Sequence, residues 1–190
     1  MAAISLDIQT TRRFFSRPVI AFYLVILATS LPFLPFEWHL ALHVLGAAML
    51  IGNAIVMAIW LTIAGFSSSE TAKRQAARAV NVGDAWFTIP GVLLLLTNGL
   101  AMVFERYGGV SAFTTTPFIG IGLVLLTLTG IVWALRLVPA QLTLERLARA
   151  PGDLDAASFR SVLIGWSVWG TVATILPILG VIVMTTKPTF

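Results

Sequence analysis

Five stretches of the chain carry almost no polar residue, at about 19–36, 38–64, 85–104, 117–138 and 162–186. At ~1.5 Å per helical residue, each is near or above the roughly 18–20 residues that cross a hydrocarbon layer of ~30 Å. The pattern predicts five membrane-spanning helices. The first stretch is the shortest, and Pro32 and Pro35 break it near its end, so a re-entrant or interfacial element is the alternative there. Of the polar connections, 67–80 opens with Ser and Thr and continues with Ala, Lys and Arg at helical spacing. Ser69 or Thr71 is therefore expected to cap a short surface helix. Residues 137–150 are expected to continue the fourth span and to stop at Pro151-Gly152, with Asp153 or Asp155 opening the next helix.

Within the second and third stretches the few polar residues share one face. His39, His43, Gly46, Leu50, Asn53, Met57 and Trp60 are spaced 4, 3, 4, 3, 4, 3, and Asp84, Thr88, Gly91, Leu95, Asn98, Met102 and Glu105 repeat that spacing. An offset of 45 superimposes Gly46, Leu50, Asn53 and Met57 on Gly91, Leu95, Asn98 and Met102. Duplication explains this, and so does chance among apolar helices. Hydrogen-bonding groups turned to lipid go unsatisfied, so both stripes are expected to face into the bundle. Gly46, Gly91, Gly130 and Gly170 are expected to admit close backbone approach. Asn53 and Asn98, placed near the midplane of adjacent spans, are expected to serve intramembrane polar packing by bonding to each other.

Composition changes the picture only by removing alternatives. Of 190 residues, 58% are hydrophobic and 11% charged, against roughly a quarter charged in soluble proteins; the mean hydropathy is +0.94. The absence of Cys removes disulfides, thiolate metal sites and Cys nucleophiles. The net charge of +4 reports topology and anionic lipid contact, with no nucleic acid implied. With five spans, Arg12, Arg13, Arg17, Lys73, Arg74, Arg78, Arg136, Arg146, Arg149 and Arg160 fall on one side, and only Arg106 and Lys187 on the other. The positive-inside rule then places the N-terminus in the cytoplasm and the C-terminus in the periplasm of a bacterial inner membrane. Thr11-Arg12-Arg13-Phe14-Phe15, with Ala28-Thr29-Ser30 downstream, resembles a twin-arginine export signal; an uncleaved anchor is the expectation adopted.

Candidate chemistry is sparse. There are no paired intramembrane acids, no phosphate loop, and no G-x-S-x-G or H-E-x-x-H sequence, so no catalytic residue is assigned. Asp84 and Glu105 are expected to flank the third span, one at each end. Depth along the spans gathers His39, His43, Met102 and Met184 towards the outer side, His43 and Met102 about 10–12 Å from the midplane. Imidazole and thioether suit haem iron or copper. His43 and Met102 are the candidate cofactor ligands, haem b needing one from each of two facing helices. His39, His43, Met102 and Met184 are the candidate metal set for copper. Packing by Met and a merely hydrogen-bonded His is the alternative, and both readings stay open.

Several short runs carry a resemblance. Leu40-Ala41-Leu42-His43-Val44-Leu45-Gly46 opens one span, and Phe87-Thr88-Ile89-Pro90-Gly91 with Thr97-Asn98-Gly99 marks the next. Leu137-Val138-Pro139 closes another, and Met184 with Lys187-Pro188 ends the chain. Together, over about residues 38–188, they resemble the bacterial predicted integral membrane family known as domain of unknown function 2269. The resemblance implies a four-helix membrane bundle and supplies no activity. It divides the chain into residues 1–37, a basic segment with an extra first span, and 38–190, the four-helix bundle. More distantly, a His in the first bundle helix is similar to the HemJ-type haem-binding oxidases and the CopD-type copper proteins, although a second bundle-helix histidine for the opposite haem face is missing.

The expected fold is an all-α polytopic membrane bundle. The expected function is a non-catalytic accessory subunit or small binding protein of a larger membrane complex, in contact with the lipid bilayer. Two alternatives stand beside it: a haem- or copper-binding redox protein using His43, and a transporter of a small neutral solute reaching Asn53 and Asn98.

Overall fold

A computed structural model describes residues 16–28 and 34–188, and no strand occurs among them. A short apolar helix, α1 (Arg17–Ala28), precedes four long ones: α2 (Phe36–Phe66), α3 (Glu70–Arg106), α4 (Pro117–Arg149) and α5 (Ala156–Thr186). Each long helix measures roughly 46–56 Å at 1.5 Å per residue, more than a hydrocarbon core requires. Outward-facing side chains such as Val44, Ile63, Val124, Leu135 and Val168 are apolar and exposed, as a lipid-facing surface demands. The fold is an all-α membrane helical bundle, a four-helix core preceded by a shorter apolar helix. Pro35 is the residue before α2; Arg12, Arg13, Thr29, Ser30 and Pro32 lie outside the described residues.

One expected boundary is revised and another is borne out. The 67–80 segment is not a separate surface helix. Ser69 does cap it, accepting from the Ala72 N–H at 3.2 Å, but the helix then runs unbroken to Arg106. Residues 76–83 (AARAVNVG) are small and apolar enough to pack, and Ala76, Ala77 and Val80 are buried there against Leu61, Leu144, Ala148, Phe159 and Leu163. At the far end of α4 the chain breaks at Pro151-Gly152 as expected, and Asp155, rather than Asp153, caps α5 by accepting from the Ser158 N–H at 3.0 Å.

Prolines set the internal irregularities of α3 and α4. Residues Asp84–Thr88 form a π-turn in which the Ile89 N–H reaches back to the Asp84 carbonyl, and Trp133–Leu137 form another in which the Val138 N–H reaches the Trp133 carbonyl. In each case a proline, Pro90 or Pro139, comes next. It lacks an N–H and its ring crowds the preceding turn, so the helix widens by one residue instead of breaking. The carbonyl skipped by this arrangement in α3 belongs to Ala85, and the Tyr23 hydroxyl donates to it at 2.8 Å, which docks α1 onto α3. Pro177 lies inside α5 without such a turn.

α2 and α3 meet backbone to backbone. A Cβ on Gly46 would lie 2.5 Å from the Leu95 nitrogen and 2.6 Å from the Gly91 carbonyl, and one on Gly91 would lie 2.9 Å from the Gly46 carbonyl. These two glycines act as the sequence implied. Gly130 and Gly170 do not: nothing lies within 4 Å of a Cβ at Gly130, and only the tip of Leu137 approaches one at Gly170.

Candidate functional site

The glycine crossing fixes which polar residues can meet. Asn53 and Asn98 each lie seven residues after their glycine, on helices running in opposite directions, so they end up roughly 21 Å apart along the bundle. They do not bond to each other. The expectation of a shared midplane fails because the apolar run 85–104, centred near Leu95, covers only the later part of α3. Each asparagine instead meets the residue seven positions before the facing glycine. His39 Nδ1 donates to Asn98 Oδ1 at 2.8 Å, while Asn98 Nδ2 donates to the Leu94 carbonyl at 3.0 Å. Asn53 Nδ2 donates to Thr88 Oγ1 at 2.8 Å and to Asp84 Oδ1 at 3.2 Å.

The same correction moves Asp84. The sequence placed it at the end of a span that began at Ala85, but α3 starts at Glu70, so Asp84 sits near the middle of the helix, level with Asn53. It is 5% exposed. Thr88 Oγ1 donates to Oδ1 at 2.7 Å, Trp133 Nε1 donates to Oδ2 at 3.0 Å, and Gln141 is placed against the same carboxyl group. These groups border a central cavity of about 340 Å³ between α2, α3, α4 and α5, also lined by Thr129 and Thr174, whose hydroxyls donate to carbonyls of their own helices, and otherwise walled by apolar side chains including Leu50, Met57, Leu126 and Leu137. Asp84, expected to flank a span, is therefore buried well inside α3. Its signal was its phase: Asp84 continues the 4–3 stripe through Thr88 and Gly91.

A second cavity of about 380 Å³ opens towards the start of α2 and the ends of α3 and α5. His43, Met102 and Met184 all line it, so it brings together three of the four candidate metal ligands. His39 does not line it, being buried and turned to Asn98. His43 Nδ1 lies 2.6 Å from the Leu95 carbonyl. A carbonyl only accepts, so Nδ1 carries the proton and Nε2 keeps a lone pair. Gly99 makes room for the ring, since a Cβ there would stand 2.9 Å from the imidazole, and the Met184 methyl occupies the notch at Gly122. Arg106 and Lys187 also line this cavity, the Arg106 guanidinium 4.0 Å above the Phe36 ring and the Lys187 ammonium 5.7 Å from that of Phe118.

At the opposite end, two arginines bond within the protein. Arg74 donates to the carbonyls of Ala148, Ala150 and Gly152 at 2.8, 3.0 and 2.7 Å, closing the end of α4, and pairs with Glu70. Glu145, 1% exposed, accepts from Asn81 Nδ2 at 2.6 Å and pairs with Arg149. Charge placement implies topology and anionic lipid contact for these arginines, and the structure adds internal bonds to that role.

Four long apolar helices with their polar groups turned inward define an integral membrane protein of the helical-bundle class. A family model described as a predicted integral membrane protein (DUF2269) matches residues 39–188, and the chain belongs to that family. No curated protein and no solved structure matches it.

Proposed function

We propose that the chain is a small, non-catalytic binding subunit of a larger complex in the bacterial inner membrane, holding a small ligand in the cavity beneath His43. The observation that carries the reading is the state of His43. Its Nδ1 proton is committed to the Leu95 carbonyl, so Nε2 is left as a donor atom in a cavity shared with two thioethers. Metal-binding histidines are oriented in just this manner, with the second nitrogen bonded to a carbonyl. The connections between helices are short, and the sequence holds no catalytic motif that competes. The Arg-rich end faces the cytoplasm in this reading, with the His43 cavity towards the periplasm.

The same donor set favours a second, more specific reading, in which the ligand is a redox centre. One imidazole and two thioethers suit copper(I). Haem b would take His43 on one face and Met102 or Met184 on the other, with Arg106 and Lys187 available to its carboxylates. The volume lies towards the lower end of the roughly 300–1,000 Å³ usual for small-molecule sites, which favours an ion or compact ligand over the macrocycle.

Gentle solubilisation from native membranes, followed by an absorption spectrum, metal analysis and sizing, tests both readings. A ligand lost on His43→Ala and a co-purifying complex are expected. A protein that is colourless, metal-free and ligand-free removes the binding role, and one that always runs alone as a monomer removes the subunit role.

A further inference from the structure

We infer that the central cavity is a binding site for a lipophilic organic ammonium, whose N–H groups bond to the Asp84 carboxylate and the Gln141 carbonyl oxygen and whose apolar body lies against Trp133 and Trp166. The argument starts from Asp84. Asn53 and Trp133 donate N–H bonds to its oxygens and the Thr88 hydroxyl bonds to it as well, a set of partners that stabilises the carboxylate form. Among the described residues it has no Lys or Arg partner. A buried carboxylate without a counter-charge is expensive even when it is hydrogen-bonded, and it is relieved either by a proton or by a cation from outside the chain; the unpartnered acceptor beside it, Gln141 Oε1, selects the cation.

The rest of the lining specifies what kind of cation. Gln141 Oε1 has no hydrogen-bond partner although Gln141 is 3% exposed, and it borders the cavity. The π-turn adds a further acceptor at the wall. The Val138 N–H is taken by the Trp133 carbonyl and Pro139 has none, so the Ala134 carbonyl loses its usual donor, and Ala134 lines the cavity too. Acceptors thus outnumber free donors, which is the complement of a group with several N–H bonds. Calcium and magnesium require six or more oxygens, and beyond the Thr129 and Thr174 hydroxyls, which are bonded to carbonyls of their own helices, the wall of Leu50, Met57, Leu126, Leu137 and Ala173 supplies none from its side chains. An alkyl or aryl ammonium matches both parts, the head to the acceptors and the body to the apolar wall, with indole rings able to stabilise the charge. The Trp166 N–H, also without a partner and 4% exposed, is left for an acceptor on the body of the ligand. About 340 Å³ accommodates a compact molecule of this type.

The test uses the full chain in phosphatidylcholine nanodiscs, titrated with 2-phenylethylammonium and with its neutral counterpart 2-phenylethanol, read by calorimetry and by tryptophan fluorescence. The ammonium is expected to bind at least about tenfold more tightly than the alcohol, as a charge-assisted bond in a dry site should. Asp84→Asn, which keeps the shape and removes the charge, is expected to abolish that preference, and Gln141→Leu to reduce it several-fold. Equal binding of the two probes by the wild-type protein overturns the inference, as does undiminished preference in Asp84→Asn. Displacement of the amine by sodium or potassium at equal concentration also overturns it, because it makes the site one for inorganic cations. Should Asp84→Asn fail to fold, the wild-type preference and Gln141→Leu decide the matter.

Discussion

Two aspartates show how far surroundings, rather than residue type, assign a role. Asp155 is exposed at the start of α5, where the Ser158 side chain and backbone N–H hold its carboxyl below the ordinary carboxylate range. A depressed value in the folded state means that the capping contribution is present above the unfolded pKa of ~3.9 and is lost as pH falls through the lower folded one. The thermal stability gap between wild type and Asp155→Ala is therefore full at neutral pH and narrows below about pH 4; a gap that stays constant on acidification refutes this. Asp84 has the opposite duty, buried in the middle of the bundle. The two buried asparagines make a second prediction. Asn53→Leu removes two donors, and at ~0.6 kcal/mol per average intramembrane bond, with a maximum near 1.7, it should destabilise by about 1–2 kcal/mol. Asn98→Leu strips His39 of its acceptor. Because the two asparagines are far apart, their effects should add to within ~0.5 kcal/mol in unfolding measurements, whereas a direct pair would show coupling. The residue types of the site were legible from the stripe; their partners were not, since partners depend on where two antiparallel helices cross.

That crossing is a property of the elements. Gly46 and Gly91 allow contact between backbones, so Gly46→Ala forces α2 and α3 apart and should destabilise by roughly 1–3 kcal/mol. Gly130→Ala meets open space and should be neutral or stabilising, by up to ~1 kcal/mol, through helix propensity; equal losses at both positions contradict the assigned crossing. Small residues on apolar helices are visible in a sequence, but which of them lies under a neighbour is not, and so only two of the four named glycines served. The prolines behave similarly. Pro90 foretells an irregularity, yet only the fold reveals that Tyr23 satisfies the carbonyl it exposes. Tyr23→Phe should lose about 1 kcal/mol in the wild-type background. In Pro90→Ala, where a regular helix can again supply an N–H to Ala85, the same change should have little effect. Equal losses in the two backgrounds mean that the hydroxyl acts independently of the π-turn.

At the scale of the whole molecule, hydropathy identified the helices but not their lengths. The apolar run marks the part of a helix in lipid, while the Ala- and Arg-containing turns that extend α3 and α4 past the core read as connections, and this is what displaced Asp84 to an apparent edge. The same extension packs the start of α3 on the end of α4, where Arg74 closes the latter. It makes this end a built layer in which Arg74 and Arg149 are bonded internally, and leaves topology as the test of its side. The described part of the first stretch, α1, is twelve residues, about 18 Å, and by itself falls short of a crossing. Charge placement argues that residues preceding it share the side of Lys73 and Arg74. The chain contains no Cys, so single-cysteine variants report cleanly. Ser111→Cys, exposed between α3 and α4, should react with a membrane-impermeant maleimide in intact cells, and Ser68→Cys, exposed between α2 and α3, only after permeabilisation. Ser5→Cys, outside the described residues, should follow Ser68→Cys, which makes five crossings. If it follows Ser111→Cys instead, the chain crosses four times and α1 enters and leaves on one side, docked to α3 through Tyr23.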